Sequence, residues 1–417
     1  WLSNQAGNNG ILFASTTAKN HAFDGVTNLA KPTGATLPKA SIAITDPDFK
    51  YPQLWKTNLA VDYKFGNGWV ATAEVLYNKD INAIYHRDIN HPNMDDATKV
   101  TKLGGADQRP YFIDNTLNDQ TYDVILMTNS SEGYSIYSTL QLQRNFTSGP
   151  LDGLYLNASY TFGEAKSVTD GSSSVASSSY KYRPAINPDA EELGFSAGSF
   201  PQRLLVQGSY RREWGPNFAT SIGLVYQMNM PFRYSYAYNG DVNNDSYSYN
   251  DLMYIPATKD QIRIKPASGD TRTADQIWAE MDSFFDQDPY LKTRRGKYSE
   301  RNGGMAPYVH SLDFNIAHDL IMKQANGKSH TIRFSFDVYN FLNLLNQDWG
   351  VQQTTVLGNQ QYQYLIMTEK PSASNNYTPA FSTALDSNKK VITDTFKDNI
   401  SSSSRWTMMF GIKYMFN

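Results

Sequence analysis

The chain has no cysteine in its 417 residues. That excludes a disulfide framework and any thiolate metal site. It has no run of roughly eighteen apolar residues, which excludes transmembrane helices. It has no excess of basic charge; at a net −3 it lacks the footprint of a general nucleic-acid binder, and no nucleic-acid partner is expected. The six histidines, His21, His86, His91, His310, His318 and His330, are scattered, with no pair at helix-face or zinc-site spacing, and are read as solvated. There is no nucleophile elbow, no phosphate-cradling glycine loop and no carboxylate pair set for acid–base work. The expectation is a protein that is not an enzyme. Trp1–Gln5 show neither a basic n-region nor an apolar h-region, so no signal peptide is read there.

What is abundant is aromatic. Phe, Trp and Tyr make up 13% of the chain, with 28 Tyr and 21 Phe, yet mean hydropathy is only −0.53. That combination fits strands of which only alternate residues face lipid. The final stretch shows the pattern most clearly. Trp406, Met408, Phe410, Ile412, Tyr414 and Phe416 share one face at period two, with Thr407, Met409, Gly411, Lys413 and Met415 on the other. A strand of about ten residues matches a tilted bilayer crossing. The closing strand of a soluble sandwich would also alternate, so the rest of the chain must decide.

Along the chain the alternation recurs in hairpins. Thr57, Leu59, Val61, Tyr63 and Phe65 lead through Gly66-Asn67-Gly68 into Trp69, Ala71, Ala73, Val75 and Tyr77. Tyr134–Phe146 and Leu154–Phe162 pair across Thr147–Gly153, and Leu204–Tyr210 and Phe218–Met228 across Trp214–Asn217. Leu312–Leu320 and Ile332–Val338 pair across Gln324–Lys328, with Asp313, Asn315, Arg333, Ser335 and Asp337 on their second face. Charges alternating with Phe and Ile suit a wet lumen better than a sandwich core. Between hairpins lie long polar stretches, His86–Glu132, Glu164–Phe200, Tyr234–Pro307 and Thr368–Ser403. Leu2–Pro52 reads as an irregular loop with edge strands and one apolar piece, Ile11–Phe13. Short turns opposite long loops predict an all-β, antiparallel transmembrane β-barrel with periplasmic turns at Gly66–Gly68, Gly149–Gly153, Gly215–Asn217 and Asn326–Lys328. Roughly ten to twelve strands are expected, about half of the 22 in plugged transporters. Closure then requires strands beyond these, because an open edge in lipid leaves backbone groups unpaired.

Several segments carry a family resemblance. Thr45–Asn58 (TDPDFKYPQLWKTN) before a strand, Gly240–Asp245 followed by Asn250–Pro256, Glu300–Gly303 before Pro307, and Asp337–Asn346 with Trp349-Gly350 occur in order. Together they resemble TonB-dependent outer-membrane receptors of the Oar-like group. The resemblance implies that residues 1–417 are the C-terminal portion of such a receptor barrel, with no counterpart here of the plug, TonB box and early strands. It also implies a Gram-negative outer membrane, surrounding lipid, TonB acting through the missing N-terminal region, and an extracellular ligand. Glycan, peptide, siderophore and protein are all compatible. The chain departs from the usual strand signal by ending Phe416-Asn417 rather than on the aromatic. A passive porin and a structural or secretory barrel are the alternatives.

Two clusters are candidate sites. Asp241, Asn243 and Asp245 place oxygens at alternate positions, as in the first half of an EF-hand loop. Ser246 stands where the turn Gly belongs and Leu252 where the bidentate Glu belongs, so a true EF-hand is excluded; Asp251 is the expected additional ligand of a structural Ca²⁺. An ion-free Asx-rich turn is the alternative. Tyr234, Tyr236, Tyr238, Tyr247 and Tyr249, with Tyr254, are read as a ligand-facing platform or an interfacial belt. Ser172–Ser179 reads as a flexible loop tip, and Arg294-Arg295-Gly296-Lys297 as a solvated charge run.

Overall fold

Period-two patterning becomes one long, ordered sheet. The computed structural model describes residues 39–119, 121–171, 173–324, 328–358 and 361–416. Ile11–Phe13 lie outside the described residues. The wall strands are β1 (Ala40–Thr45), β2 (Gln53–Phe65), β3 (Trp69–Asp88), β4 (Thr121–Ser130), β5 (Gly133–Asn145) and β6 (Leu154–Ser167). They continue with β7 (Gln202–Glu213), β8 (Phe218–Asn229), β9 (Val309–Lys323), β10 (Ser329–Tyr339) and β11 (Thr407–Phe416). Neighbours run β2-β3-β5-β6-β7-β8-β9-β10-β11, all antiparallel, so with the exception of β4 each strand from β2 onward sits beside the next in the chain. That is the meander expected of an outer-membrane wall.

β4 was not separated from the long polar stretch His86–Glu132 by sequence pattern, and it is a correction to that reading. β3 pairs Lys79 with Tyr134 on β5 and Ala83 with Ser130 on β4. Each pair of numbers sums to 213, so β4 and β5 hold a single register along β3, interrupted at Ser131–Gly133. Gly133 makes the interruption possible. Its φ is 126°, and a Cβ there would come within 2.1 Å of an Asp80 carboxylate oxygen. β1 adds to β4 in parallel.

The two faces of the wall differ as the alternation requires. Leu140 sits between Ala73 and Tyr160, Leu224 between Gly208 and Phe314, and Phe336 between Ile316 and Phe410. Large apolar side chains on this face are open: Leu59 69%, Tyr63 66%, Leu140 54%, Phe410 68% and Ile412 66% exposed. A contiguous apolar band of this extent is not left in water by a monomeric soluble protein. The other face is polar and internally bonded. Thr139 and Thr161 hydroxyls lie 2.9 Å apart, and Asn78 Nδ2 donates to Ser135 Oγ at 2.8 Å. Asp319 accepts from Arg333 Nε at 2.6 Å and from Arg211 Nη1 at 2.9 Å.

Turn lengths are as asymmetric as expected. Gly66–Gly68 closes β2 to β3 with Asn67 at φ 63° and Gly68 at φ 79°. In the turn expected at Asn326–Lys328, residues 326 and 327 lie outside the described residues, and Gln324 N–H donates to Lys328 C=O across it at 2.8 Å. The opposite end carries everything long. Among the described residues, the outer edges of β2 and β11 have no partner strand, and β2 is exposed on both faces.

Candidate functional site

The long connections do not hang free; they fold together into a head with its own apolar core. Its centre is helix α1 (Ala274–Gln287), inside the stretch that sequence pattern gave only as polar. Thr273 and Gln276 form a capping box, and Ile277, Met281, Phe284 and Phe285 recur at one face and are buried. Those signals are present in the sequence and would have found the helix. Phe284 stacks on Tyr364 with ring centroids 3.9 Å apart, and Tyr238 on Phe381 at 4.6 Å. Short strand pairs knit the loops: Arg233–Tyr236 with Gly304–Met305 and Gln361–Tyr362, and Leu365–Glu369 with Ala380–Thr383.

Three tyrosines of the expected platform, Tyr234, Tyr236 and Tyr238, are in this core, which corrects both readings for them. Tyr234, Tyr236 and Tyr238 are no more than 1% exposed. Tyr236 Oη donates to Asp288 Oδ2 at 2.5 Å, and burial raises the pKa of all three phenols. They are neither open to a ligand nor at a lipid interface, because rings from other loops, among them Tyr290, Tyr362, Phe381 and Phe396, close over them. Tyr247 is buried as well, donating to Asp123 Oδ2 on β4 at 2.8 Å; Tyr249 is exposed.

The acidic loop beside them is held by its own backbone. Asp241 Oδ1 accepts from Asp245 N–H and its Oδ2 from Ser246 N–H, each at 3.0 Å; Asn243 Oδ1 accepts from Asp245 N–H at 3.0 Å. Asn244 and Ser246 take left-handed φ of 63° and 78° so that the loop can coil around these oxygens. Asp251 stands apart from the other three. Its Oδ1 accepts from Arg109 Nη1 and its Oδ2 from Val242 N–H, at 2.9 and 2.8 Å, so it clamps the loop rather than facing into it. Arg109 is wholly buried, shared between Asp251 and Asp107, with its guanidinium over the Tyr238 ring. Burial, then the Asp251 charge, pushes Asp241 up to about 7; burial and its two acidic neighbours push Asp245 up as well.

A second polar centre lies nearby. His91 Nδ1 meets Asp189 Oδ2 at 2.7 Å, and Tyr180 donates to Asp189 Oδ1 at 2.9 Å. Burial works against charging His91, but the Asp189 hydrogen bond and charge, with Asp88 and Asp245, push its pKa up to about 9. His91 is therefore not a solvated residue. Two other surface readings also change. In the Ser-rich run, Ala176–Lys181 is a helix with Ser179 and Tyr180 buried, whereas Ser172 lies outside the described residues. Arg294 and Arg295 are tied down, to the Tyr298 carbonyl and to Asp282 and Asp286.

An antiparallel meander with an apolar outer band, a bonded polar inner face and a folded cap on its long-loop end defines an outer-membrane barrel wall. The chain belongs to the outer membrane beta barrel domain family, whose model matches residues 2–363. Its place is the outer membrane of a Gram-negative bacterium, with lipid against the outer band. Neither a curated protein nor a solved structure matches the chain.

Proposed function

We propose that the chain is part of the wall and the ligand-receiving head of an outer-membrane receptor whose import is energised through TonB. The observation that carries this reading is the inner face. Arg211, Asp319 and Arg333, Asn315 with Asp337, and Thr139 with Thr161 offer hydrogen bonds to water or a plug. Tightly packed opposite strands would require apolar residues there. The ordered run of segments resembling Oar-like receptors supports the same reading. On it, further strands join the free edges of β2 and β11, a plug fills the lumen, and TonB acts from the periplasm. The head meets an extracellular glycan, peptide, siderophore or protein, and no covalent chemistry is involved.

Planar-bilayer recording of the full-length protein tests the reading without knowing the ligand. A plugged receptor shows no steady open conductance, and it is retained by the immobilised periplasmic domain of TonB. Steady ohmic channels with no TonB retention would favour a passive porin or a structural barrel instead.

A further inference from the structure

The loop Gly240–Asp251 gathers more buried negative charge than the side chains around it neutralise. Arg109 is committed to Asp107 and Asp251. Among the described residues, no basic side chain forms an ion pair with Asp241 or Asp245. His91 acts on Asp245 only through space, and its own nitrogens face Asp189 and Asp88. The hydrogen bonds that the two carboxylates accept come from neutral donors: backbone N–H groups and the amides of Asn243 and Asn250.

A separate observation points to a ligand. Asn250 is 1% exposed, and its Nδ2 donates to Asp245 Oδ2 at 2.7 Å, yet its Oδ1 has no hydrogen-bond partner. A buried amide oxygen without a donor is left desolvated and uncompensated. Turning the amide over does not cure this, because the oxygen would then face the Asp245 carboxylate oxygen. An amide oxygen orphaned while its own amide nitrogen is bound to the Asp245 carboxylate suits a cation as its missing partner.

We propose that Asp241, Asn243, Asp245 and Asn250 bind one Ca²⁺, which locks this loop into the head. The donor set is all oxygen, mixed carboxylate and amide, on an irregular loop; Ca²⁺ accepts that, whereas Mg²⁺ demands near-ideal octahedral geometry and retains its water. Among the described residues no three acidic or imidazole side chains converge on one point. The proposed shell contains only two such side chains and completes itself with amides. Asp241 Oδ1 and Oδ2 and Asp245 Oδ1 each accept one N–H and retain a lone pair for the ion, whereas Asp245 Oδ2 is shared by the Asn243 and Asn250 amides. With two charges the site falls in the range of extracellular modules, on the order of 10⁻⁴–10⁻³ M. Binding there reaches the whole head: Asn243 C=O accepts from Phe112 N–H, Asn115 donates to Ser246, and Tyr247 reaches Asp123 on β4. The proposal is independent of whether TonB energises transport.

Terbium titration of the full-length protein in detergent tests it, since buried Tyr247 and Tyr180 beside the loop can sensitise the emission. Saturable emission should appear and be displaced by Ca²⁺ but not by equal Mg²⁺. Asp245→Asn and Asn250→Leu should each weaken binding about 10-fold or more, while the exposed Asp348→Asn should not. Heat-modifiable gel migration confirms folding, and Asn243→Ala replaces any variant that fails it. Absence of saturable emission from the wild type, or equal affinity in the variants, would overturn the proposal.

Discussion

Phe284 lies flat against Tyr364, centroids 3.9 Å apart and planes 14° from parallel, joining α1 to a loop eighty residues further along the chain. The stack is buried on both sides and helps to make the head one folded unit. Phe284→Ala should destabilise the head by about 3–5 kcal/mol, the usual cost of deleting a buried aromatic. Limited proteolysis should then cut within residues 230–307 while the barrel retains its heat-modifiable mobility.

Arg109 supplies the next expectation. It is the sole ion-pair partner of Asp107 and Asp251 among the described residues, and all three are buried. Arg109→Met keeps much of the volume but strands two carboxylates. A loss of about 3–5 kcal/mol is expected from removing one partner of such a pair. Asp107→Asn in the same background should recover part of it, measured as the thermal midpoint of head proteolysis.

Much of the wall could be read from residues alone, because each hairpin carries its own alternation and its own turn. The pairs Leu59 with Val75 and Leu140 with Tyr160 follow from turn position and period two. The head could not be read that way. Tyr234, Tyr236 and Tyr238 look like surface residues because Tyr and Asn dominate their loop, and the rings that bury them, Phe381 and Tyr362, belong to other loops. Burial there depends on long-range packing, which local periodicity does not encode. Spacing picks out Asp241, Asn243 and Asp245 as one coiled loop; the contacts of Asp251 and Asn250 are not legible that way, since they depend on where Arg109 and Asp245 sit.

His91 makes the head sensitive to pH. Its folded pKa, about 9, lies above the ordinary 6.5, so the charged form is the one the fold favours. The resulting stability is fully present below pH 6.5 and is lost as pH rises through 9. The midpoint of head proteolysis should fall between pH 7 and 9.5 in the wild type, and His91→Gln should remove that part of the slope.

Topology gives a further expectation. Single cysteines at Asn67 and Asn217 should resist a membrane-impermeant maleimide on intact cells, whereas Ser174 and Asn388, in the long connections, should label. Residues 1–417 contain no cysteine to confuse the result. Labelling of the short turns alone would reverse the orientation.

The wall of this barrel has lipid on one face and water on the other. Spin labels at successive positions of β5 in bilayers test it most directly. Labels at Ile136, Leu140 and Leu142 should be reached by oxygen, and those at Ser135, Thr139 and Gln141 by a water-soluble nickel chelate, with a strict period of two. Equal access of the nickel chelate to both sets, or no alternation along the strand, would contradict it.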